Sequence, residues 1–403
     1  MVCAFGRAGP TQNLWSRARR RKYGAVMARL LFVLNEPNWF VSHRFAIGLA
    51  AQERGFDVHV AGPGEAPAEI LNAGMTFHSV DLCRKGMNPI AEWGTGSSLV
   101  GLFREVRPDI VHLVTIKAYL YGGIAARLAR VPAVVSAVAG LGMVFSRHGV
   151  RARALRSLLY PMFRVAFGHK RQKTIFQNQD DRAVLQRWIG MPSGKTALIR
   201  GSGVNLSGYP VRPEPSGVPV VSFAARLLRD KGVADLVEAG RILKKRGVQA
   251  RFWIIGDVDP GNRATITEQE LATWRDEQIV ELLGYRKDIP ELYARSHIVC
   301  LPSYYGEGLP KALVEAAACG RAVITTDHPG CRDAIEPGRS GVLVPIQEPE
   351  ALADALQYLI ENPGVRKAMG QAGRELAERD FAIEEIVEAH MAIYDELLQG
   401  LER

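Results

Sequence analysis

Cysteine is scarce in this 403-residue sequence and is irregularly placed. The spacing of the five thiols matches neither a zinc site nor a disulfide framework. They are Cys3, Cys83, Cys300, Cys319 and Cys331. We therefore expect free thiols in a reducing compartment and no structural metal.

Long apolar runs are also missing. The nearest candidate, Val131–Phe145, is interrupted by a serine and two glycines and is shorter than the ~18 residues needed to span a bilayer. Residues 1–26 contain clustered arginines but lack the apolar core of a secretory signal. We expect no membrane-spanning helix, and a disordered basic extension or an upstream start before Met27.

Acidic residues are absent between Asp109 and Asp180, a stretch that contains eleven lysines or arginines. Residues 1–200 carry 28 basic and 11 acidic side chains, a net charge of +17, whereas the whole chain carries +9. This asymmetry predicts that the first half faces an anionic surface. Nucleic acid and anionic lipid both fit the charge pattern.

Short β-branched runs alternate with helical patterns from Met27 onward, which is typical of parallel sheets built from βαβ units. The predicted strands of the first half are Leu30–Leu34, Val58–Ala61, Ile110–Val114, Ala133–Ala137 and Thr174–Gln177. Those of the second half are Val220–Ala224, Arg251–Gly256, Ile279–Leu283, Ile298–Leu301 and Ala322–Thr325.

This alternation predicts an α/β protein with two Rossmann-like domains that face each other across a central cleft. The first domain is expected at 27–200 and the second at 220–380. Residues 201–219 are rich in Gly, Pro and Ser, which indicates a linker. A C-terminal helix is expected over 381–403.

A glycine-flanked glutamate, Glu307, precedes a predicted helix in the segment 305–320 (YGEGLPKALVEAAACG). Pro310 suits the first helical position, and Gly320 suits a left-handed cap at the end of the helix. The free amide groups from Gly308 to Lys311 would form an anion site, where the helix dipole stabilises a diphosphate.

A second glutamate, Glu315, lies about 7.5 Å along the helix axis from Pro310, at ~1.5 Å per residue. One interpretation is that Glu307 only complements the helix dipole and that Glu315 is a solvated helix residue. However, Glu315 has mostly Ala and Leu neighbours, and a buried acid requires a partner. We therefore expect one carboxylate to meet a sugar and the other a ribose.

Glu307 and Glu315 resemble the Glu-x7-Glu pair of retaining glycosyltransferases with the GT-B fold. Three more segments of the second half are similar to family four of these enzymes: RLLRDKG (226–232), GYRKD (284–288) and DHPG (327–330). The resemblance covers Met27 to about Glu378. It implies a hexosyl- or N-acetylhexosaminyltransferase that retains the anomeric configuration, takes a nucleotide-sugar, expected to be a UDP-sugar, and requires neither cofactor nor metal.

By this resemblance, Glu307, Arg226 and Lys231 are catalytic. The two cations would bind the donor diphosphate and offset charge on the leaving group. The alternative for both is an ordinary surface loop. The residues implied in donor binding are Glu315, Gly308, Leu309 and Arg286.

Several other polar residues have simpler explanations. Asp230 is expected to cap the helix that follows it, and Asp180 or Asp181 to cap the helix near the end of the first domain. The segment Asp257–Asp259 resembles an Asp-x-Asp metal site, but the Pro-Gly pair after it favours a turn. His112 lies inside a predicted strand, so we expect it in the core.

The first half resembles the branch of the family that makes bacterial surface polysaccharides, which includes the transferase of N-acetylgalactosamine to diphosphoundecaprenol-linked bacillosamine. The matching segments are NEPNWFVSHR (35–44), TIKAYLYG (115–122) and GLG (140–142). Many members have a glycine pair and a histidine where this chain has Pro37-Asn38 and Gly140-Leu141, so those acceptor-side roles do not transfer. His43 and Lys117 are predicted as substitutes. For a lone histidine such as His43, a capping or core position is the alternative.

Three other functions are alternatives to a transferase. An epimerase or a phosphorylase would use the same architecture, but an epimerase lacks this set of cations and glutamates, and a phosphorylase usually carries a pyridoxal-phosphate lysine. A basic nucleic-acid-binding protein is the alternative from another class. The first half lacks the interleaved aromatic and basic residues of a single-strand platform, so we expect no nucleic acid partner.

The segment Arg151–Lys173 combines apolar residues at helical spacing with several arginines, and Pro161 is expected to kink it. Burial of the apolar stripe against the sheet is the ordinary explanation. The charge pattern around it instead predicts a cytoplasmic enzyme that associates peripherally with an anionic membrane surface and acts on a lipid-linked glycan.

Overall fold

The first sheet consists of seven parallel strands. The computed structural model describes residues 27–82, 89–142, 145 and 149–399. Within these ranges the strands are β1 (Ala28–Val33), β2 (Phe56–Gly62), β3 (Thr76–Ser79), β4 (Ile110–Val114), β5 (Ala133–Val138), β6 (Gln172–Phe176) and β7 (Thr196–Leu198). Their order is β3-β2-β1-β4-β5-β6-β7, so the order of winding reverses beside β1, where such sheets bind ligands.

Helices cover both faces of this sheet. They are α1 (Pro37–His43), α2 (Phe45–Glu53), α3 (Ala68–Asn72), α4 (Pro89–Val106), α5 (Ile116–Leu128), α6 (Val150–Ala166) and α7 (Gln179–Ile189). Side chains along β1 alternate between the two faces, as the pleat requires. Leu31 and Val33 belong to the core formed with α4–α7, whereas Leu30 and Phe32 belong to the core formed with α1–α3.

The second sheet has six parallel strands in the order β10-β9-β8-β11-β12-β13. They are β8 (Val220–Ala224), β9 (Arg251–Ile255), β10 (Glu281–Gly284), β11 (Ile298–Leu301), β12 (Ala322–Thr326) and β13 (Gly341–Val344). The helices of this half are α8 (Val233–Lys245), α9 (Glu268–Glu277), α10 (Ile289–Ala294), α11 (Lys311–Ala318), α12 (Pro349–Glu361) and α13 (Pro363–Leu376). The sheet again reverses its winding order, this time at β8.

The C-terminal helix returns to the first domain. After a π-helical turn (Ala377–Phe381), Val204 and Ala382 form a parallel bridge, and α14 (Ile383–Leu398) begins. Met391 and Tyr394 of α14 are fully buried in the core that also contains Leu30 and Phe32 of β1. The two halves are therefore connected twice, by residues 201–219 and by this crossing.

The predicted fold class is confirmed, because both halves are parallel α/β sheets of the Rossmann type. All ten predicted strands are present, with ends shifted by at most two residues. Three strands were not predicted, namely β3, β7 and β13. All three lie at an edge of their sheet, where a strand is short and less apolar.

Two predicted helix caps are wrong. Gly232 occupies the position before α8, and no side chain caps that helix, so Asp230 does not have the predicted role. The cap of α7 is Asn178, whose Oδ1 accepts a hydrogen bond from the Asp181 amide at 2.8 Å. Asp180 and Asp181 instead lie in the first turn, where their charge complements the helix dipole.

The ends of α11 also differ slightly from the prediction. The helix begins at Lys311, so Pro310 lies one residue before the first helical position. Gly320 has a φ of +67°, which confirms the predicted left-handed cap.

Three of the five cysteines lie in the described part of the chain. Cys300, Cys319 and Cys331 are buried free thiols, and burial raises the pKa of each. In the described ranges, no helix combines the length and apolarity needed to cross a membrane. The basic extension 1–26 and Cys83 lie outside the described residues.

Candidate active site

A cavity of about 880 Å³ lies between the two sheets, at the carboxyl ends of their central strands. All nine residues predicted for the site line this one cavity. Those from the second half are Arg226, Lys231, Arg286, Glu307, Gly308, Leu309 and Glu315. Those from the first half are His43 and Lys117.

Glu307 lies on the loop between β11 and α11, and only 12% of its side chain is exposed. Lys231, in the short turn after β8, donates a hydrogen bond to Glu307 Oε1. Ser303 Oγ donates to the same oxygen at 3.1 Å. The Lys231 ammonium also lies 5.2 Å from the centre of the Tyr305 ring, within cation–π range. The carboxylate is thus held by two side chains, one of which is a cation.

Glu315 is buried on α11, and its partner comes from the linker. The Tyr209 hydroxyl donates to Glu315 Oε1 at 2.5 Å, and Lys311 Nζ lies 3.5 Å from the same oxygen. Burial raises the pKa of Glu315, while Lys311 and Tyr209 oppose that rise. The sequence indicated that this acid needs a partner; the protein itself supplies Tyr209, and the ribose role stays a prediction.

Arg226 is oriented by the Asp257–Asp259 segment. Its Nη1 lies 2.5 Å from Asp259 Oδ2. Asp257 Oδ1 accepts a hydrogen bond from the Tyr285 amide at 3.1 Å. Both carboxylates therefore have structural partners, and no group of three or more metal-ligating side chains occurs in the part of the chain that is described.

Arg286 lines the cavity and forms an ion pair with Asp288. Its Nε and Nη2 donate to the two carboxylate oxygens of Asp288 at 2.7 and 2.5 Å. This bidentate pair fixes the guanidinium plane beside the cleft.

The backbone before α11 differs from the prediction at the amide of Leu309. The Leu309 amide donates to Gln177 Oε1 at 2.9 Å, and Gln177 belongs to the first domain. In this arrangement the Leu309 amide is therefore not open to a donor hydroxyl. Gly308, which precedes it in the same loop, lines the cavity.

His43 and Lys117 lie on the opposite wall. Solvent reaches the His43 ring, but the cleft surrounds it, and this desolvation, with Lys311 and Arg44 nearby, lowers the pKa of His43 to about 3. His43 Nδ1 lies 2.6 Å from Ser42 Oγ. At neutral pH the ring is therefore uncharged and a weak base. Lys117 lies in the first turn of α5.

His112 is a core residue, as predicted. Its ring stacks on Phe32 with centroids 4.9 Å apart, and its Nδ1 lies 2.6 Å from the Tyr394 hydroxyl.

Four residues with direct contacts to this site were not predicted: Gln177, Asn178, Tyr209 and Ser303. Gln177 and Asn178 follow β6, at the carboxyl end of a strand, which is the position that could have drawn attention to them. Tyr209 lies in an irregular linker, and the sequence carries no signal for its contact with α11.

Two family models match the chain. Residues 29–178 match "Glycosyl transferase 4-like", and residues 210–376 match "Glycosyl transferases group 1". The two matches follow one another along the chain, one in each half.

Similar proteins include a Campylobacter jejuni enzyme described as N,N'-diacetylbacillosaminyl-diphospho-undecaprenol alpha-1,3-N-acetylgalactosaminyltransferase. It is 26% identical over 373 residues, which cover 89% of this chain and 96% of that protein. The putative colanic acid biosynthesis glycosyltransferase WcaL of Escherichia coli is 32% identical over 53% of each chain.

Solved structures with the same fold include Anabaena Alr3699/HepE in complex with UDP and glucose. The TM-score is 0.73 at 18% identity, covering 91% of this chain and 99% of that one. The lipopolysaccharide glycosyltransferase WaaG has a TM-score of 0.68 at 16% identity, covering 92% of this chain and 100% of that one. These matches, with one family model in each half, show that the chain belongs to the group 1 glycosyltransferases and has their GT-B fold.

Proposed function

We propose that this glycosyltransferase moves a hexosyl or N-acetylhexosaminyl group from a UDP-sugar to a lipid-linked glycan, in exopolysaccharide or O-antigen synthesis. One observation carries the proposal: Glu307 and Lys231 lie on one wall of a single cleft, and Lys117 lies on the opposite wall. A donor on the second half would therefore face an acceptor on the first.

The second half supplies positive charge for the leaving group. Arg226 and Lys231 line the cavity on neighbouring turns after β8. As the sugar–phosphate bond breaks, both cations would stabilise the charge that develops on the nucleoside diphosphate. Glu307, held by Lys231 and Ser303, would bind a donor hydroxyl. With this charge supplied by side chains, turnover is expected without an obligatory divalent ion.

The first-half wall favours retention of the anomeric configuration. Inversion requires a base on the acceptor side, which takes the proton of the attacking hydroxyl. Among the described residues that line the cavity from the first half, none is Asp or Glu, and the pKa of the histidine, His43, is lowered by desolvation and by the nearby cations of Lys311 and Arg44. Front-face attack, with the proton passing to the leaving phosphate, needs no such base.

The donor and acceptor classes are supported by similar proteins. The Anabaena structure is a complex with UDP, and the Campylobacter enzyme is named for a diphospho-undecaprenol-linked acceptor. Relatives named for colanic acid, capsular polysaccharide and amylovoran synthesis point to the same kind of product.

The direct test is turnover with a panel of nucleotide-sugars, with a polyprenyl-diphosphate-linked sugar as the acceptor, before and after EDTA treatment. We expect one UDP-sugar to be consumed only with the acceptor present, at a rate that EDTA does not change. Loss of activity that Mn²⁺ restores would contradict the role of the two cations. Epimer formation without transfer, or oligonucleotide binding without turnover, would favour the alternatives.

The membrane surface is proposed from α6. Val150 and Leu158 of this helix are 74% and 71% exposed, although Phe163 is fully buried. Arg151 and Arg153 are exposed on the same helix. Burial against the sheet therefore explains only part of its apolar surface. Apolar side chains beside exposed arginines suit the inner face of the cytoplasmic membrane, where each cation contributes about 1 kcal/mol.

Vesicle co-sedimentation tests this surface. Replacing Arg151 and Arg153 with Glu should weaken binding to anionic vesicles about 30-fold or more. The matched control replaces Lys244 and Lys245, two exposed cations on α8 of the second half, and should bind like wild type. Equal binding of wild type to neutral and anionic vesicles, or no difference between the two variants, would remove the membrane proposal and leave the enzyme assignment intact.

A further inference from the structure

The loop that carries Glu307 is held from the opposite domain. We define the donor loop as residues 305–310. Gln177 Oε1 accepts a hydrogen bond from the Leu309 amide at 2.9 Å. Asn178 Nδ2 donates to the carbonyl of Gly308 at 3.0 Å and to that of Glu307 at 3.3 Å. Three backbone groups of the donor loop are thus bonded by two first-domain side chains.

The backbones of the two domains meet directly at this place. A Cβ atom on Gly308 would lie 2.1 Å from Gln177 Oε1, and one on Gly140 would lie 2.3 Å from the Gly306 carbonyl oxygen. On the far side, a Cβ on Gly330 would lie 2.4 Å from the Gly308 oxygen. The donor loop therefore fits between the first domain and Gly330 of its own domain because glycine, which lacks a Cβ atom, occupies these three positions.

The orientation of Asn178 is fixed independently of the donor loop. Its Oδ1 caps α7 by accepting from the Asp181 amide, and its Nδ2 also donates to Asp181 Oδ2 at 2.9 Å. Because α7 holds the amide group in this orientation, Nδ2 faces the donor loop. Gln177 and Asn178 are both buried, with 7% and 1% of their surfaces exposed.

We propose that Gln177 and Asn178 are positioning residues for the transfer reaction. Their three hydrogen bonds fix the backbone of Glu307 and of the two residues after it, so that the loop that carries the carboxylate has this conformation only while the two domains are together. Closure of the cleft and assembly of the site would then be one event. This inference rests on the proposed role of Glu307 in donor binding.

Substitution of Gln177 separates positioning from stability. Gln177→Met keeps the shape of the side chain but removes the acceptor, whereas Gln177→Glu keeps an acceptor for the Leu309 amide. The matched control is Gln172→Met. Gln172 is also buried, lies at the start of β6, and donates to Ser136 Oγ at 3.2 Å within the first domain.

We expect Gln177→Met to lower kcat about 30-fold, because a displacement of about 1 Å can cost as much as 100-fold in rate. KM for the donor should change less than about threefold, a split typical of an interaction that acts on the transition state. Gln177→Glu should recover most of the rate. Gln172→Met should keep wild-type kcat and lose at least as much thermal stability as Gln177→Met.

Asn178→Ser provides a second variant, because serine retains the helix cap but lacks the Nδ2 group that donates to the two carbonyls. It should also lower kcat while the melting temperature stays near that of wild type. Wild-type kcat in both Gln177→Met and Asn178→Ser would overturn the inference, as would an equal loss in Gln172→Met. If Glu307→Ala also turns over like wild type, the proposed function of the loop fails as well; if only Glu307→Ala is impaired, the loop functions without these two positioning residues.

Discussion

The two walls of the cleft differ in how their polar groups are satisfied. On the second-half wall, Glu307, Glu315 and Arg226 each have a charged or hydroxyl partner from the protein. On the first-half wall, four side chains carry a buried polar atom with no protein partner in the described part of the chain. These atoms are Asn35 Oδ1, Arg44 Nε, Thr115 Oγ1 and the Tyr119 hydroxyl.

On the proposed function, the second-half wall is the donor wall and the first-half wall is the acceptor wall. The three donor-wall side chains have partners within the protein, whereas these four atoms of the acceptor wall do not. Buried polar groups without partners are rare in native proteins and are costly. Thr115 also has a φ of +83°, an unfavourable conformation for a β-branched residue that persists mostly at functional sites. Substitution of Glu307 or Glu315 should therefore disturb binding or chemistry of the nucleotide-sugar, and substitution of Lys117 should not.

Glu307→Ala should give the largest effect. Because the carboxylate is already oriented toward the cavity, its loss should lower kcat about 100- to 1,000-fold while UDP binding stays within about threefold. Steady-state kinetics and calorimetric titration of UDP measure both quantities. Glu281→Ala, which breaks the surface pair with Arg251, is the control and should be silent. A variant of Glu307 that loses UDP affinity but keeps kcat would contradict the assigned role.

Glu315→Ala should chiefly affect the nucleotide. A charged hydrogen bond to ribose contributes about 1.5–3 kcal/mol, so its loss should weaken UDP binding about 10- to 100-fold. Tyr209→Phe, which removes the partner but keeps the carboxylate, should weaken binding less. If UDP affinity is unchanged in Glu315→Ala, Glu315 serves only to bind Tyr209 and does not contact the nucleotide.

Sequence patterns predicted the donor wall better than the acceptor wall, for a physical reason. Glu307, Glu315 and the helix between them lie within one short segment, so their spacing alone fixes their relation. Contacts such as that of Gln177 with Leu309 join residues 132 positions apart, and periodicity contains no information about them. Tyr209 was missed for the same reason.

Strand prediction failed at the sheet edges and succeeded in the centre. Central strands such as β4 and β11 are buried along their whole length and read as continuous apolar runs. By contrast, β3 has no fully buried residue, and β7 has only three residues. Helix caps were misassigned because several adjacent polar residues, Asn178 to Asp181, can each occupy a cap position in sequence.

Acid should destabilise the core beneath the acceptor wall. Burial, with Arg44 nearby, lowers the pKa of His390 to about 3, so this residue is neutral in the folded protein. Below the ordinary value of 6.5, the unfolded chain binds a proton that the folded chain does not. The contribution of neutral His390 to the free energy of unfolding is therefore fully present above pH 6.5. It is lost as the pH falls toward 3, at about 1.4 kcal/mol per pH unit.

Urea unfolding at pH 7.5 and 5.5 checks this sign. Wild type should lose about 1.4 kcal/mol more than His390→Phe over this interval. Burial also lowers the pKa of the neighbouring His112. Its contribution to the pH dependence of stability should remain in the variant. Identical losses in wild type and variant would show that folding does not lower the pKa of His390.

Lys117→Ala should give the smallest effect and the clearest contrast. Since Lys117 lies on the acceptor wall, KM for the acceptor should rise about three- to tenfold, with UDP affinity unchanged, consistent with the loss of about 1 kcal/mol. Lys170→Ala, an exposed cation of the same domain outside the cavity, is the control. A loss of UDP affinity in Lys117→Ala would place the donor against both walls and end the distinction between them.

The anomeric configuration of the product tests the central claim most directly, because the proposed assignment of chemistry to the donor wall, where Arg226 and Lys231 lie, predicts retention. Proton NMR of the product formed from an α-linked UDP-sugar should show an α-glycoside from the first turnover. A β-glycoside would mean that an acceptor-side base operates, and would contradict the assignment of chemistry to the donor wall.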